Sequence, residues 1–213
     1  MNKTKLRLSL LLLGSLALGS CSRSGDNEFT AEGTITDAAG KTLYLETTDT
    51  DEPQLIDSVT LDEKGRFRFR REAHSYPAFY RLRLGESFIP FAADSVTHLT
   101  LSASGKALFS TYKIESGDEA NKQIREIGQL RTATDKAIEA ILTQLNNGTL
   151  DRGVALARID SLSTQLKNTL TSKYIFSDPK GAAAYYALFQ SYLGGTYFSI
   201  DHPGDDRAFF AVP

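Results

Sequence analysis

Ser110-Thr111-Tyr112-Lys113 has the Ser-x-x-Lys spacing in which a lysine one helical turn on can take the proton of a serine hydroxyl. The run around it, Phe109 to Ile114, reads as a strand. That reading puts Ser110 and Lys113 on opposite faces and removes the chemistry. His74, His98 and His202 lie far apart in the sequence and show no metal-ligand spacing. The acidic pairs Asp49/Asp51 and Asp205/Asp206 fall in turn-like text. They read as solvated turn residues, with weak calcium binding the lesser alternative. Asn147-Gly148-Thr149 matches an N-glycosylation sequon but is more economically a helix stop followed by a cap. No Gly-x-Ser-x-Gly elbow, phosphate-binding loop or dinucleotide fingerprint occurs. Cys21 is the only cysteine. One thiol cannot make a CxxC redox pair, an internal disulfide, a four-cysteine zinc site or an iron–sulfur cluster. These residues point away from an enzyme and imply no cofactor or metal.

Charge is patterned more tellingly. Arg66, Arg68 and Arg70 alternate with Phe67 and Phe69, and Arg81 and Arg83 alternate with Tyr80, Leu82 and Leu84. If the two strands are neighbours, five guanidinium groups crowd one face. Such a face would take an anionic partner: a glycan, a lipid headgroup or an acidic protein surface. The same pattern also describes a solvated face balanced by cross-strand Glu and Asp. Tyr185, Phe189 and Tyr192, at i, i+4 and i+7, read as a core stripe of a helix and not as a ligand platform.

The amino terminus says where these residues act. Lys3, Lys5 and Arg7 precede an apolar stretch from Leu8 to Leu18. It is too short to span a bilayer, which needs ~20 apolar residues, and reads as a secretory signal peptide. It ends in Leu18-Gly19-Ser20-Cys21, which resembles the bacterial lipoprotein box. That resemblance implies cleavage before Cys21, lipidation of its thiol and membrane attachment through the acyl chains. Ser22, not Asp, follows the cysteine, which favours the outer membrane on its periplasmic side. Removing residues 1–20 leaves 21 basic against 26 acidic residues, a net charge of −5. A chain so charged is not expected to bind nucleic acid through a general basic field.

Positioning falls to two halves after a polar tether at 21–27. Residues 28–115 carry about eight short alternating runs separated by turns, the pattern of an antiparallel β-sandwich. At Ser116 the period changes. Ser116-Gly117-Asp118-Glu119 resembles a capping box, and Ile124, Ile127, Leu130, Ile138, Ile141 and Leu145 follow helical spacing. Asn146-Asn147-Gly148 stops that helix and Thr149 caps a second, with Ile159, Leu162, Leu166 and Leu170 on one face. A long helical hairpin is expected. A third helix is expected from Ser177-Asp178-Pro179, buried through Ala182 to Leu193, and a short one over Arg207 to Val212. The fold class is therefore α+β, a sandwich followed by a helical region at 116–213.

Gly40-Lys41-Thr42-Leu43-Tyr44-Leu45-Glu46, Phe79-Tyr80-Arg81-Leu82-Arg83 and Ala182-Ala183-Ala184-Tyr185-Tyr186-Ala187-Leu188-Phe189-Gln190 occur in this order behind the lipoprotein box. Together they resemble the amino-terminal domain of unknown function that precedes a thioredoxin-like domain, of the alkyl hydroperoxide reductase/thiol-specific antioxidant type, in Bacteroidota envelope lipoproteins. The resemblance implies a non-catalytic, lipid-anchored module that docks or positions a redox domain or partner. It also implies that the helical region stops short of such a domain. The arginine pattern supplies the alternative, an envelope lipoprotein that binds an anionic ligand or glycan. Asp57-Ser58-Val59, Asp94-Ser95-Val96 and Asp160-Ser161-Leu162 resemble the Asp-Ser/Thr-hydrophobic pattern of O-glycosylation in the same envelopes. Accidental turn chemistry gives the same triplets.

Overall fold

Alternation shapes the first half of the chain. In the computed structural model, which describes residues 27–48, 52–116, 118–192 and 195–213, β5 (Ala78–Leu84) buries Ala78, Tyr80, Leu82 and Leu84. Phe79, Arg81 and Arg83 take the opposite face, as period-two side chains must. The same rule builds two four-stranded sheets. The first is ordered β4 (Arg66–Glu72), β1 (Glu28–Thr36), β7 (His98–Ser104) and β8 (Lys113–Ile114). The second is ordered β3 (Gln54–Thr60), β2 (Thr42–Thr47), β5 and β6 (Ser87–Ala93). All neighbours are antiparallel except β1 and β7, which run parallel. A parallel pair needs a long crossover, and here it contains the whole second sheet together with β4.

The inner faces share one apolar core. Phe29 of β1 lies 4.8 Å from the ring of Tyr80 and 6.0 Å from that of Phe91 on the second sheet. Phe69, Leu99, Leu43, Leu82 and Ile89 fill the space around them. Burying each such side chain contributes roughly 1.5–3 kcal/mol. The turn into β4 is fixed at Gly65, whose φ is +74°. A Cβ there would sit 2.0 Å from the carbonyl oxygen of Ile35, while the Gly65 carbonyl accepts from the Ile35 amide at 2.8 Å. Glycine alone fits that close approach.

Helices pack on the outer face of the second sheet, at the end nearest β6. After a helical turn, α1 (Leu108–Thr111), comes α2 (Glu119–Asn146), capped by the Asp118 carboxylate, which accepts from the Asn121 amide. Its 28 residues extend about 42 Å. The antiparallel α3 (Arg152–Leu170) runs into a π-helical turn at Thr171–Ile175. There follow α4 (Ala182–Leu188), a small hairpin of β9 (Ser191–Tyr192) and β10 (Gly195–Thr196), and α5 (Asp206–Ala211). Ile124, Ile127, Leu166, Leu170, Tyr174 and Leu188 form a second core with Ala92 of β6. Asn121 joins the halves. It is 2% exposed, its Oδ1 accepts from the Ala92 amide and its Nδ2 donates to the Ala92 carbonyl, both at 2.8 Å. An edge strand's free backbone groups are thereby satisfied by a helix.

The described residues are 38% helical and 31% strand, an α+β fold of two mostly antiparallel four-stranded sheets plus helices. Several sequence expectations need correction. Asp118 caps α2 without a reciprocal Glu bond, and Asp151, not Thr149, caps α3 by accepting from Gly153 and Val154. Residues 109–111 are helical where a strand was expected. Pro179 lies in a turn ahead of α4, which begins at Ala182 and ends at Leu188 instead of reaching Leu193. Among the described residues, no helix is long and apolar enough to cross a membrane. Cys21, the signal segment 1–20 and the tether through residue 26 lie outside the described residues, as do Asp49, Asp51 and Gly117.

Candidate functional site

The arginines do not form one site. Arg66, Arg68 and Arg70 lie on β4 in the first sheet, and Arg81 and Arg83 on β5 in the second. Each guanidinium meets a carboxylate. Arg66 pairs with Asp62 at 2.7 Å, Arg68 with Glu32 at 3.4 Å and Arg70 with Glu28 at 2.5 Å. On the second sheet one buried carboxylate, Glu46, accepts from Arg81 at 2.6 Å and from Arg83 at 2.7 Å. Burial pushes the Glu46 carboxyl up, and the two guanidinium bonds outweigh it and hold it below the usual carboxylate range. The arginines are also stacked, Arg81 over Phe88 and Arg83 over Tyr44. The five-guanidinium face is thus corrected to two separate, charge-balanced faces. Asp62 is a local partner in the turn before β4, but Glu28 and Glu46 come from other strands, 35 to 42 residues away in the sequence, and no local pattern announces them.

The aromatic expectation is corrected in the opposite direction. Tyr185 is 45% exposed and Phe189 is 51% exposed. Tyr192 has left the helix for β9. Five of the seven residues of α4, Ala182, Ala183, Ala184, Ala187 and Leu188, are buried. The large rings are therefore turned outward over the sheet. Phe79, the outward residue at the end of β5, lies 5.5 Å from the ring of Tyr185 and 6.2 Å from that of Tyr186. Tyr185 lies 4.7 Å from Phe189, which lies 6.4 Å from Phe209 on α5. A ladder of rings runs from the sheet to α5, where Phe210 is 82% exposed.

Two open clefts flank this ladder and share Thr48, Phe79 and Tyr185. One, of about 450 Å³, is lined also by Tyr76, Lys180 and Val212. The other, of about 630 Å³, runs between β6 and α4 with Phe88, Phe109, Arg131, Tyr186 and Gln190 in its walls. Gly128 of α2 lets the lining residue Phe109 pack closely on the helix, since a Cβ there would meet Phe109 Cζ at 2.9 Å. Arg131, one turn on, is held by Asp135, whose other oxygen accepts from the Tyr197 hydroxyl at 2.7 Å. Burial pushes the Tyr197 hydroxyl up, and its bond to Asp135 acts in the same direction. Burial likewise raises Tyr186, with Arg131 pulling the other way. Among the described residues Arg131 is the one charged residue on this lining.

Phe79 and Arg131 escaped the sequence reading. The available signal for Phe79 was an aromatic residue in the outward register of an alternating strand. For Tyr185 it was a tyrosine pair that a single-faced helix cannot bury together.

The remaining candidates sit as follows. Ser110 is on the α1 turn, donating to the Ala107 carbonyl, and Lys113 on β8. The continuous strand that was expected to put the pair on opposite faces is replaced by a helical turn followed by a strand. Asp205 is no solvated turn residue: it is 6% exposed, bonded by Lys167 at 2.7 Å and by the Ser199 amide. Ser58 is exposed on the edge strand β3, Ser95 is half-buried in the turn after β6, and Ser161 is exposed on α3. Among the described residues no group of three or more His, Cys, Asp and Glu is placed to hold a metal ion. No family model and no curated protein matches the chain.

Proposed function

We propose that the chain is a non-catalytic docking module, anchored in the bacterial envelope through lipidated Cys21, that holds a redox domain or partner of the thioredoxin-like kind. The two sheets are read as a β-sandwich that serves as the rigid body, with the helical region as the presenting surface. The observation that carries the reading is the ring ladder Phe79–Tyr185–Phe189–Phe209, in which Tyr185 and Phe189 are open to solvent and which ends beside the exposed Phe210. Exposed aromatic residues gathered in one patch mark interaction surfaces, and rings supply most of the energy where proteins meet. The redox character of the partner rests on the resemblance of the three motifs and the lipoprotein box. Docking is a positional role, and it needs only one thiol, for the lipid.

Purification of the lipidated protein from its native membranes tests this reading. A CxxC protein should accompany it, and Phe210→Asp should release that protein while leaving the thermal unfolding of the module unchanged. Retention of all partners by Phe210→Asp, or the absence of any CxxC protein from the wild-type complex, contradicts the reading. Cys21→Ala should abolish palmitate incorporation and detergent partitioning.

A further inference from the structure

The cleft between β6 and α4 has the features of a small-ligand site that docking alone does not use. We propose that it binds a carboxylate-bearing sugar ring, such as a uronic acid residue of an acidic glycan. The volume, about 630 Å³, falls within the ~300–1,000 Å³ of small-ligand sites. Tyr185 and Phe189 offer tilted ring faces 4.7 Å apart, each about half exposed. Aromatic faces carry partial negative charge and match the slightly positive C–H face of a pyranose. Polar residues stand around these rings: Thr48, Tyr186, Gln190 and Ser191 line the same cleft. They provide the donors and acceptors that sugar hydroxyls require.

Charge selects the acid. Arg131 is the one charged residue that lines the cleft among the described residues, and Asp135 engages one of its guanidinium nitrogens, Nη1, at 2.6 Å. A guanidinium has five N–H donors in a planar fork, so one engaged nitrogen leaves others to meet a ligand carboxylate. The Asp135–Tyr197 pair fixes the Arg131 side chain from behind. This pre-organisation lowers the entropy lost on binding. A wholly apolar ligand would strip water from the Arg131 N–H groups that Asp135 does not engage and from the cleft's hydroxyl groups, which is costly.

Titration calorimetry of the protein with a galacturonic acid trisaccharide tests the proposal, with maltotriose as the uncharged control. Binding in the roughly micromolar-to-millimolar range is expected. It should weaken with salt and exceed binding of maltotriose by about tenfold or more. Tyr185→Ala and Phe189→Ala remove half-exposed rings that the cores do not need, and each should weaken binding by about tenfold. Arg131→Lys keeps the charge and the Asp135 contact but loses the fork, and should also weaken it. Phe210→Asp should leave sugar binding unchanged, so failure of the docking reading is distinguishable from failure of this one. No detectable heat with the acidic trisaccharide, equal binding of maltotriose, or binding indifferent to Tyr185→Ala and Phe189→Ala in folded protein overturns the proposal.

Discussion

Glu46 joins two arginines on the outer face of the second sheet, and its removal has a calculable cost. Glu46→Gln keeps the shape of the side chain and deletes the charge. The amide retains one acceptor oxygen and turns its NH2 toward a guanidinium that can only donate. Two charge-assisted bonds, at 2.6 and 2.7 Å, are therefore reduced to one neutral acceptor. Breaking a fully buried ion pair costs about 3–5 kcal/mol. The Glu46 side chain is 6% exposed, but those of Arg81 and Arg83 are 21% and 30% exposed and stay stacked on Phe88 and Tyr44. Water relieves part of the cost, leaving about 2–3 kcal/mol. For a chain of this size that is a fall in Tm of roughly 5–10 °C. Glu32→Gln is the internal comparison. Its partner Arg68 stands at 3.4 Å with both side chains well exposed, so the loss should be below about 1 kcal/mol. The sign with pH follows from the depressed Glu46 carboxyl. Its stabilisation is complete above the unfolded value of about 4.3 and is lost as pH falls through the lower folded value. The difference between wild type and Glu46→Gln should therefore be largest at neutral pH and close in acid. Urea unfolding at several pH values measures both effects. Equal losses for Glu46→Gln and Glu32→Gln, or a Glu46→Gln deficit that does not narrow in acid, would refute the reasoning.

Asn121→Ala should cost about 2–4 kcal/mol, because it orphans the buried amide and carbonyl of Ala92 at once; hydrogen exchange at the Ala92 amide should accelerate. Gly65→Ala should lower the urea midpoint by the equivalent of about 3 kcal/mol or more, since it adds a clash with the Ile35 carbonyl to a positive φ; an unchanged midpoint would show that the turn can move aside. With Cys21 its only cysteine, the isolated chain should not catalyse insulin reduction, and turbidity should rise no faster than in buffer.

How much was legible in the sequence depended on range. Arg66 to Arg70 and Phe79 to Leu84 announce strands because strand periodicity is local and strict. Ile124, Ile127 and Ile138 announce α2 for the same reason, and all three are buried. The pairing of strands is not local: nothing near Arg70 or Arg81 predicts that β4 and β5 enter different sheets, or that Glu28 and Glu46 supply their counter-charges. The caps slipped by a few residues because Asp118, Asp151 and their neighbours compete for the same role, and geometry picks one. The aromatic run from Tyr185 to Phe189 was misassigned because hydrophobic spacing identifies a face without saying what it faces. Small alanines took the core, and the rings were left to line the clefts.

The central claim is that the ladder at α5 meets a redox partner at the membrane. Photo-crosslinking answers it most directly. A benzophenone amino acid at position 210, replacing a phenylalanine that is 82% exposed, is activated in cells that carry the lipidated protein, and the adducts are identified by mass spectrometry. The predicted result is one dominant adduct containing a CxxC thioredoxin-like sequence, lost when the same probe is moved to the exposed position 152 at the far end of the helical hairpin. Adducts that lack any CxxC protein, or that form equally from both positions, would contradict it.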